Sequence, residues 1–84
     1  MTHLERLQTI GIRRLGTPKS GFRYASQNGQ LTKADLHRIH ELKIPPAWTE
    51  VAINPAATGK LQAIGKDAAG RWQYLYHESH RRAQ

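Results

Sequence analysis

The chain of 84 residues has no cysteine, so it forms neither disulfides nor thiolate metal sites and must be held together by packing alone. Its first ten residues mix charged and apolar side chains, which does not suit an export segment. No stretch approaches the roughly 18 consecutive apolar residues of a membrane span. Acidic residues are few and scattered, so no carboxylate pair indicates general acid–base chemistry. These absences favour a small soluble domain without a membrane partner, and we expect it in the cytoplasm.

Positive charge dominates what is present. The chain carries 13 lysines and arginines against 6 aspartates and glutamates, for a formal net charge of +7. An excess of this size favours an anionic partner, with nucleic acid ahead of an anionic membrane surface. A solvated basic surface accounts for the same composition equally well. Charge therefore suggests a class of partner without selecting it.

Two short helices are predicted. Leu4 and Leu7 have helical spacing, which predicts a first helix over about 3–9 that ends at Gly11. Thr32, followed three residues later by Asp35, forms a capping pattern and predicts a second helix over about 33–42. A pair of prolines stops that helix soon afterwards. Its apolar stripe consists of Leu36, Ile39 and Leu42.

The rest of the pattern predicts strands. Residues 11–20 have the composition of an irregular basic segment, and the run around Phe22 and Tyr24 predicts a strand that Asn28-Gly29 turns into a second short strand. Residues 48–53, 60–66 and 71–77 have extended character, and 67–70 predict a four-residue hairpin loop. We therefore predict a single α+β domain over 1–84, with a small antiparallel β-sheet of hairpins and one or two short helices.

The last strand has the sequence GRWQYLYH, which alternates polar and aromatic or apolar residues. Its alternation places Trp72, Tyr74 and Tyr76 on one side of the strand. By pattern alone such a stripe is ordinarily core, packed against an apolar stripe such as that of the second helix. A four-residue loop would put small residues opposite the rings, in the pairs Gly65–Trp72, Ala63–Tyr74 and Leu61–Tyr76.

No catalytic site can be assembled from these residues. The spacing of Gly16 and Gly21 is that of a phosphate loop, but the Lys-Ser or Lys-Thr that must follow is absent. The histidine pairs at 37/40 and 77/80 have no placed third ligand. No cluster of arginine, lysine and histidine surrounds any tyrosine, so a covalent tyrosine is rejected. We expect no catalytic residue, no metal and no cofactor in this chain.

Three stretches occur together in a specific order: GIRR with GFRY (11–14 and 21–24), KIPPAWTEV (43–51) and KLQAIGKDAAGRWQYLYH (60–77). Over about residues 11–77 they resemble the N-terminal domain of bacterial and poxvirus-type type IB DNA topoisomerases. The resemblance implies a small antiparallel sheet with short helices that forms half of a clamp around duplex DNA. It also implies a C-terminal catalytic domain, outside this chain, that relaxes supercoils through a 3′-phosphotyrosyl intermediate without ATP.

The resemblance further implies which residues contact DNA. Family contacts concentrate on the second strand of the last hairpin and its turn, which match Arg71, Gln73, Tyr74 and Tyr76 here, with Lys66 as a neighbouring candidate. Trp72 departs from the family, which commonly carries Lys or Arg at that place. A second departure is Glu78-Ser79-His80, where cellular members often continue His-Pro-x-Trp. The implied partners are duplex DNA and the catalytic domain of the same parent, and we expect a monomer at the nucleoid of a bacterial cell.

The residues themselves leave other interpretations open. Gln73 has the chemistry to contact an adenine edge, and Lys66 and Arg71 have that to contact phosphate or guanine, yet Arg71 and Gln73 also suit a solvated strand face. Arg13-Arg14 and Arg81-Arg82 are expected to contribute general charge. Two rival functions remain: a basic domain associated with RNA or the ribosome, and a protein-interaction module whose charge maintains solubility.

Overall fold

A five-stranded antiparallel sheet organises the chain, with the strand order β2-β1-β3-β4-β5. The computed structural model describes residues 2–27 and 29–77. Its elements are α1 (His3–Ile10), β1 (Ile12–Thr17), β2 (Gly21–Ala25), α2 (Lys33–Leu42), β3 (Thr49–Ile53), β4 (Leu61–Lys66) and β5 (Trp72–Tyr76). The predicted α+β class, with a small antiparallel sheet and short helices, is confirmed. Neither α1 nor α2, the helices of the described residues, has the length and apolar character of a membrane span.

Both helices begin at a capping box. In α2 the Asp35 backbone N–H donates to Thr32 Oγ1 at 3.0 Å, and the Thr32 N–H donates to Asp35 Oδ2 at 3.0 Å. These hydrogen bonds lower the pKa of Asp35. The predicted start and end of this helix are confirmed. Thr2 and Glu5 make the same reciprocal contact at the start of α1.

Each helix covers one face of the sheet. Ile39 of α2 packs in a cluster with Val51 and Ile53 of β3, while Ala52 between them faces the opposite side. We call the two faces the α2 face and the α1 face. The buried cluster of the α2 face consists of Ile12, Ile39, Val51, Ile53 and Ala63. That of the α1 face consists of Leu7, Ala52, Leu61 and Ile64.

Strands β1 and β2 form a hairpin in a region where an irregular segment was expected. Their register runs from the Arg13–Ala25 pair to the Thr17–Gly21 pair. The turn between them is closed by Thr17 and Ser20, whose backbone N–H groups donate to each other's hydroxyl at 3.1 and 3.0 Å. The irregular interpretation of 11–20 is therefore wrong. Glycine and proline mark the turn itself and do not mark a coil.

The hairpin predicted at Asn28-Gly29 is replaced in the structure by a single bridge. An isolated antiparallel bridge joins Ser26 to Gly29, and residues 30–32 are not a strand. Asn28 lies outside the described residues. The prediction of a second short strand after the turn is therefore wrong. The partner of β2 is β1, which precedes it in the chain.

Arg14 connects β1 to the proline-containing segment after α2. Its guanidinium donates to the carbonyl oxygens of Pro45 at 3.0 Å and Trp48 at 2.8 Å, with a longer contact of 3.4 Å to Ile44. The same group lies 4.1 Å from the centre of the Phe22 ring. Burial lowers the pKa of Arg14, although the guanidinium stays charged. Arg14 therefore has a structural role in addition to the general charge expected of it, whereas Arg81-Arg82 lie outside the described residues.

We predict that Arg14→Met lowers the free energy of unfolding by about 1–3 kcal/mol, because it leaves carbonyl groups at 45 and 48 without their donor. Urea denaturation followed by circular dichroism measures the change. Arg23→Met, which removes the same charge from an exposed position on β2, is the control and should change stability by less than about 0.5 kcal/mol. Equal losses in the two variants would contradict the structural role of Arg14.

Candidate nucleic-acid interface

Strands β4 and β5 form a hairpin at one edge of the sheet, with a tip made of residues 67–71. The Asp67 N–H donates to the Arg71 carbonyl oxygen at 2.9 Å, and the Gly70 N–H donates to the Asp67 carbonyl oxygen at 2.9 Å. Gly70 has a φ of 80°, a conformation that glycine adopts without strain. The tip thus holds five residues between Lys66 and Trp72, which lie directly opposite each other. The predicted four-residue loop is wrong because Arg71 belongs to the tip.

This extra tip residue moves the strand pairing by one. The observed pairs are Lys66–Trp72, Gly65–Gln73, Ile64–Tyr74 and Ala63–Leu75. The predicted pairs Gly65–Trp72 and Ala63–Tyr74 are therefore wrong. Leu61–Tyr76 is confirmed, because a bulge at Gln62 restores the expected pairing beyond it.

A small residue was expected at position 65 because Trp72 would lie opposite it, but a different ring requires the glycine. A Cβ atom there would lie 2.7 Å from Cε3 of Trp48 and 3.2 Å from Cγ2 of Val51. The ring that needs this space therefore belongs to the segment before β3. Close packing against Trp48 explains the small residue.

The aromatic stripe of β5 lies on the α1 face. Trp72 and Tyr76 are half-buried against the cluster that contains Leu7 and Leu61. Packing of the stripe against α2 is therefore a wrong expectation. Tyr74, between the two, keeps 44% of its surface exposed. The aromatic residues of this strand thus have two roles, since two rings anchor β5 and the third faces solvent.

Lys66 is held in place by a carboxylate and a ring. Its Nζ lies 3.1 Å from Glu50 Oε2 and 5.2 Å from the centre of the Trp72 ring, while 35% of the side chain remains exposed. Glu50 has a φ of 50° and lies where the β3–β4 pairing shifts. Trp72 therefore supplies an aromatic face to a neighbouring cation.

Arg71 and Gln73 meet at the carboxylate of Asp67. Oδ2 of Asp67 accepts from Arg71 Nε at 3.2 Å and from Gln73 Nε2 at 2.9 Å. Oδ1 accepts from the backbone N–H groups of Ala69 at 2.9 Å and Arg71 at 3.0 Å. The hydrogen bond from the Arg71 backbone, followed by that from Gln73, lowers the pKa of Asp67. The Arg71 side chain is nonetheless 75% exposed.

The five candidate contact residues thus fall into two groups. Lys66, Tyr74 and Tyr76 follow the α1 face of the hairpin, whereas Arg71 and Gln73 gather around Asp67 at the tip. Tyr76 differs from the others because its ring belongs to the packed cluster of the α1 face. The structure therefore brings the candidates to one edge hairpin but not to one face of it.

Sequence reasoning missed the two acids that hold the candidate cations. Asp67 had a recognisable signal, since aspartate at the start of a tight turn commonly accepts backbone N–H groups two residues on. Glu50 had none, because its contact with Lys66 depends on a bulge and on a strand partner. Within residues 2–27 and 29–77, no group of three histidine, aspartate or glutamate residues could hold a metal ion.

The fold and its edge hairpin define a small basic α+β domain with Arg71 exposed at the hairpin tip and Lys66 beside the tip. The family model described as "Bacterial DNA topoisomerase IB, N-terminal domain" matches residues 21–67, which is more than half of the chain. The chain therefore belongs to the family of N-terminal domains of type IB DNA topoisomerases. The matched range ends at the first residue of the tip, so of the five candidates only Lys66 lies inside it.

A curated relative agrees with this family. DNA topoisomerase 1B of Acanthamoeba polyphaga mimivirus is 46% identical over 57 residues, a range that covers 68% of this chain and 17% of the relative. The chain therefore spans about a sixth of the length of that protein. Since the relative is viral, the bacterial source expected from the resemblance stays a prediction.

We predict that the tip loosens only when the pH falls below the ordinary aspartate pKa of about 4. The folded pKa of Asp67 lies below the unfolded value, so its carboxylate stabilises the tip above the unfolded pKa, and this stabilisation is lost as the pH falls through the folded value. NMR shifts of the Ala69 and Arg71 amides report this transition. Asp67→Ala should abolish it, whereas titration of both amides at the ordinary pKa would contradict the hydrogen bonding described.

Proposed function

We propose that this chain binds duplex DNA through the β4–β5 hairpin and forms one half of a clamp around it. Family membership supports this proposal together with one structural observation: an edge hairpin whose tip exposes Arg71 and holds a polar reader, Gln73, beside it. The other half of the clamp is a catalytic domain of the same parent protein. This chain supplies grip and position, and it does no chemistry itself.

The dimensions of a hairpin suit the proposed contact. The major groove of B-form DNA admits a two-stranded β-ribbon, and residues near the tip of such a ribbon reach base edges from both of its faces. β5 is an edge strand, so within residues 2–27 and 29–77 no further strand pairs with its outer side. The division of the candidates between two faces is therefore compatible with a single contact to DNA.

Each candidate has a role that its surroundings allow. Lys66 and Arg71 can bind phosphate oxygens, which position a protein on DNA without specifying sequence. Tyr74, which keeps 44% of its surface exposed, can donate its hydroxyl to a phosphate. Gln73 can form a paired contact with an adenine edge. Tyr76 contributes through a ring that stays packed on the α1 face.

The ion pairs at the hairpin do not oppose binding strongly. Glu50 and Asp67 hold Lys66 and Arg71, but such pairs at a protein surface contribute little because water and salt screen them. Contacts with DNA phosphates, in contrast, release condensed counterions and gain affinity at low salt. The cations can therefore exchange or share their acidic partners when they meet the backbone.

The activity proposed for the parent protein is the relaxation of supercoiled DNA. Its catalytic domain would cut one strand through a tyrosine, hold a 3′-phosphotyrosyl link while the duplex swivels, and reseal the strand without ATP. Since the chain spans 17% of its curated relative, the residues for this chemistry are assigned to the remainder of the parent.

We predict that the chain binds duplex DNA with an affinity that falls steeply as salt is added. Arg71→Ala should reduce the slope of log affinity against log salt by about 1, as expected for one lost phosphate contact. Gln73→Ala should weaken binding by about 1–3 kcal/mol through a lost base contact. Fluorescence anisotropy with a labelled duplex measures both effects, and circular dichroism checks that the variants stay folded.

Arg23→Ala is the matched control, because it removes the same charge from β2 at the opposite edge of the sheet. It should affect binding less than Arg71→Ala does. Unchanged affinity in both hairpin variants would remove the site assignment. Equal binding to a matched duplex RNA, whose deep and narrow major groove excludes a ribbon, would favour the RNA-associated rival. Absence of salt-dependent binding to either duplex would favour the protein-interaction rival.

A further inference from the structure

One carboxylate oxygen in the tip contacts both polar side chains that the proposed function places against DNA, Arg71 at a phosphate and Gln73 at a base edge. Asp67 Oδ2 accepts from Arg71 Nε and from Gln73 Nε2, while the backbone of the turn is bound by the other oxygen, Oδ1. The two oxygens therefore have separate roles. Oδ1 builds the turn, and Oδ2 constrains the side chains that leave it.

The contact decides which way the Gln73 amide faces. A carboxylate accepts hydrogen bonds only, so the NH₂ group of the amide must point to Asp67 and the carbonyl Oε1 must point away. An amide nitrogen has two hydrogens, and Asp67 occupies one. An adenine edge requires Oε1 and the hydrogen on the same side of the amide as adjacent acceptor and donor, which leaves the other hydrogen for Asp67.

The same oxygen restrains Arg71. Its Nε donates to Asp67, and its backbone N–H donates to the same side chain. The two terminal NH₂ groups keep their capacity to donate, on a side chain that is 75% exposed. Asp67 thus limits the positions that a long and otherwise free side chain can adopt.

We propose that Asp67 is a positioning residue that gives the hairpin its preference among DNA sequences, by orienting Gln73 and Arg71, while it reduces general attraction to the DNA backbone. This inference rests on the proposed function. Discrimination between two sequences is the difference between their binding free energies. A group that repels the phosphates of both sequences equally weakens both affinities and leaves that difference unchanged. A carboxylate at the tip is such a group, because it faces the phosphates of any sequence.

The alternative role for Asp67 is to build the turn and nothing more. Asp67→Asn separates the two roles, because asparagine keeps an oxygen that can serve the Ala69 and Arg71 backbone N–H groups. Its NH₂ group replaces Oδ2 and cannot accept from Arg71 Nε or Gln73 Nε2. The variant therefore keeps the turn and releases Arg71, while Gln73 can contact the asparagine only with its amide reversed, so that Oε1 faces position 67.

Glu50→Gln is the matched control. It removes one negative charge beside a candidate cation, Lys66, as Asp67→Asn does beside Arg71. Glu50 contacts Lys66, whereas the Gln73 amide is held by Asp67. Any gain in affinity that comes from charge alone should therefore appear in both variants.

The test uses the full chain and a pool of duplexes with a randomised central segment. Sequencing of the bound fraction defines a preferred duplex, and anisotropy then gives its affinity relative to a scrambled duplex. We expect the wild-type ratio to be about fivefold to 150-fold, the range of one paired base contact. Asp67→Asn should bind the scrambled duplex more tightly and lose most of the ratio, as Gln73→Ala does, whereas Glu50→Gln should keep it.

NMR gives a second readout that needs no DNA. The side-chain amide hydrogens of Gln73 should titrate with the Asp67 carboxyl in the wild type and should not do so in Asp67→Asn. A merely structural role in the turn would not couple these signals.

Three results would overturn the positioning role and leave the proposed function intact. They are wild-type binding with no preferred sequence, an unchanged affinity ratio in Asp67→Asn, and Gln73 side-chain signals that do not follow the Asp67 titration. Failure of the wild type to bind any duplex would instead overturn the proposed function itself. The two failures are therefore distinguishable.

Discussion

Burial on both faces of β3 and β4 is the constraint on which the rest of the structure depends. A chain of 84 residues can bury only part of its surface, so its few apolar side chains must serve two layers at once. Ile53 of β3 and Ile64 of β4 are both fully buried, yet they lie on opposite faces under different helices. Packing on both faces thereby holds β3 and β4 between the two helices, and the strands at the edges of the sheet pair outward from them.

The edge position of β5 explains how one short strand can be anchored and accessible together. Trp72 and Tyr76 pack on the α1 face and Leu75 packs on the α2 face, which holds the strand from both sides. Tyr74 and the tip project beyond the covered area. Glu50 and Asp67 then restrain Lys66 and Arg71, so that the charged side chains near the exposed end of the hairpin have defined positions.

Local signals were sufficient for about half of this arrangement. The Thr32 and Asp35 pair and the two prolines located α2, and alternation located the last three strands, because each signal acts within a few residues of itself. β1 was missed for the opposite reason. Its Arg14 is a strand residue whose donors are satisfied by carbonyl groups about thirty positions further along the chain, and nothing near it in sequence reports that contact.

The sequence by itself determined the fold class, the position of α2 and of β3 to β5, and the family, because these depend on short patterns and on ordered motifs. The placement of five candidate residues on one hairpin also followed from it. Only the tertiary structure decided the strand register, the helix that covers the aromatic stripe, and the acids that hold Lys66 and Arg71. An extra tip residue or a bulge shifts every strand pair beyond it by one, so local patterns do not settle the register. The helix contacts of the rings and the Glu50–Lys66 pair join segments that are distant in the chain.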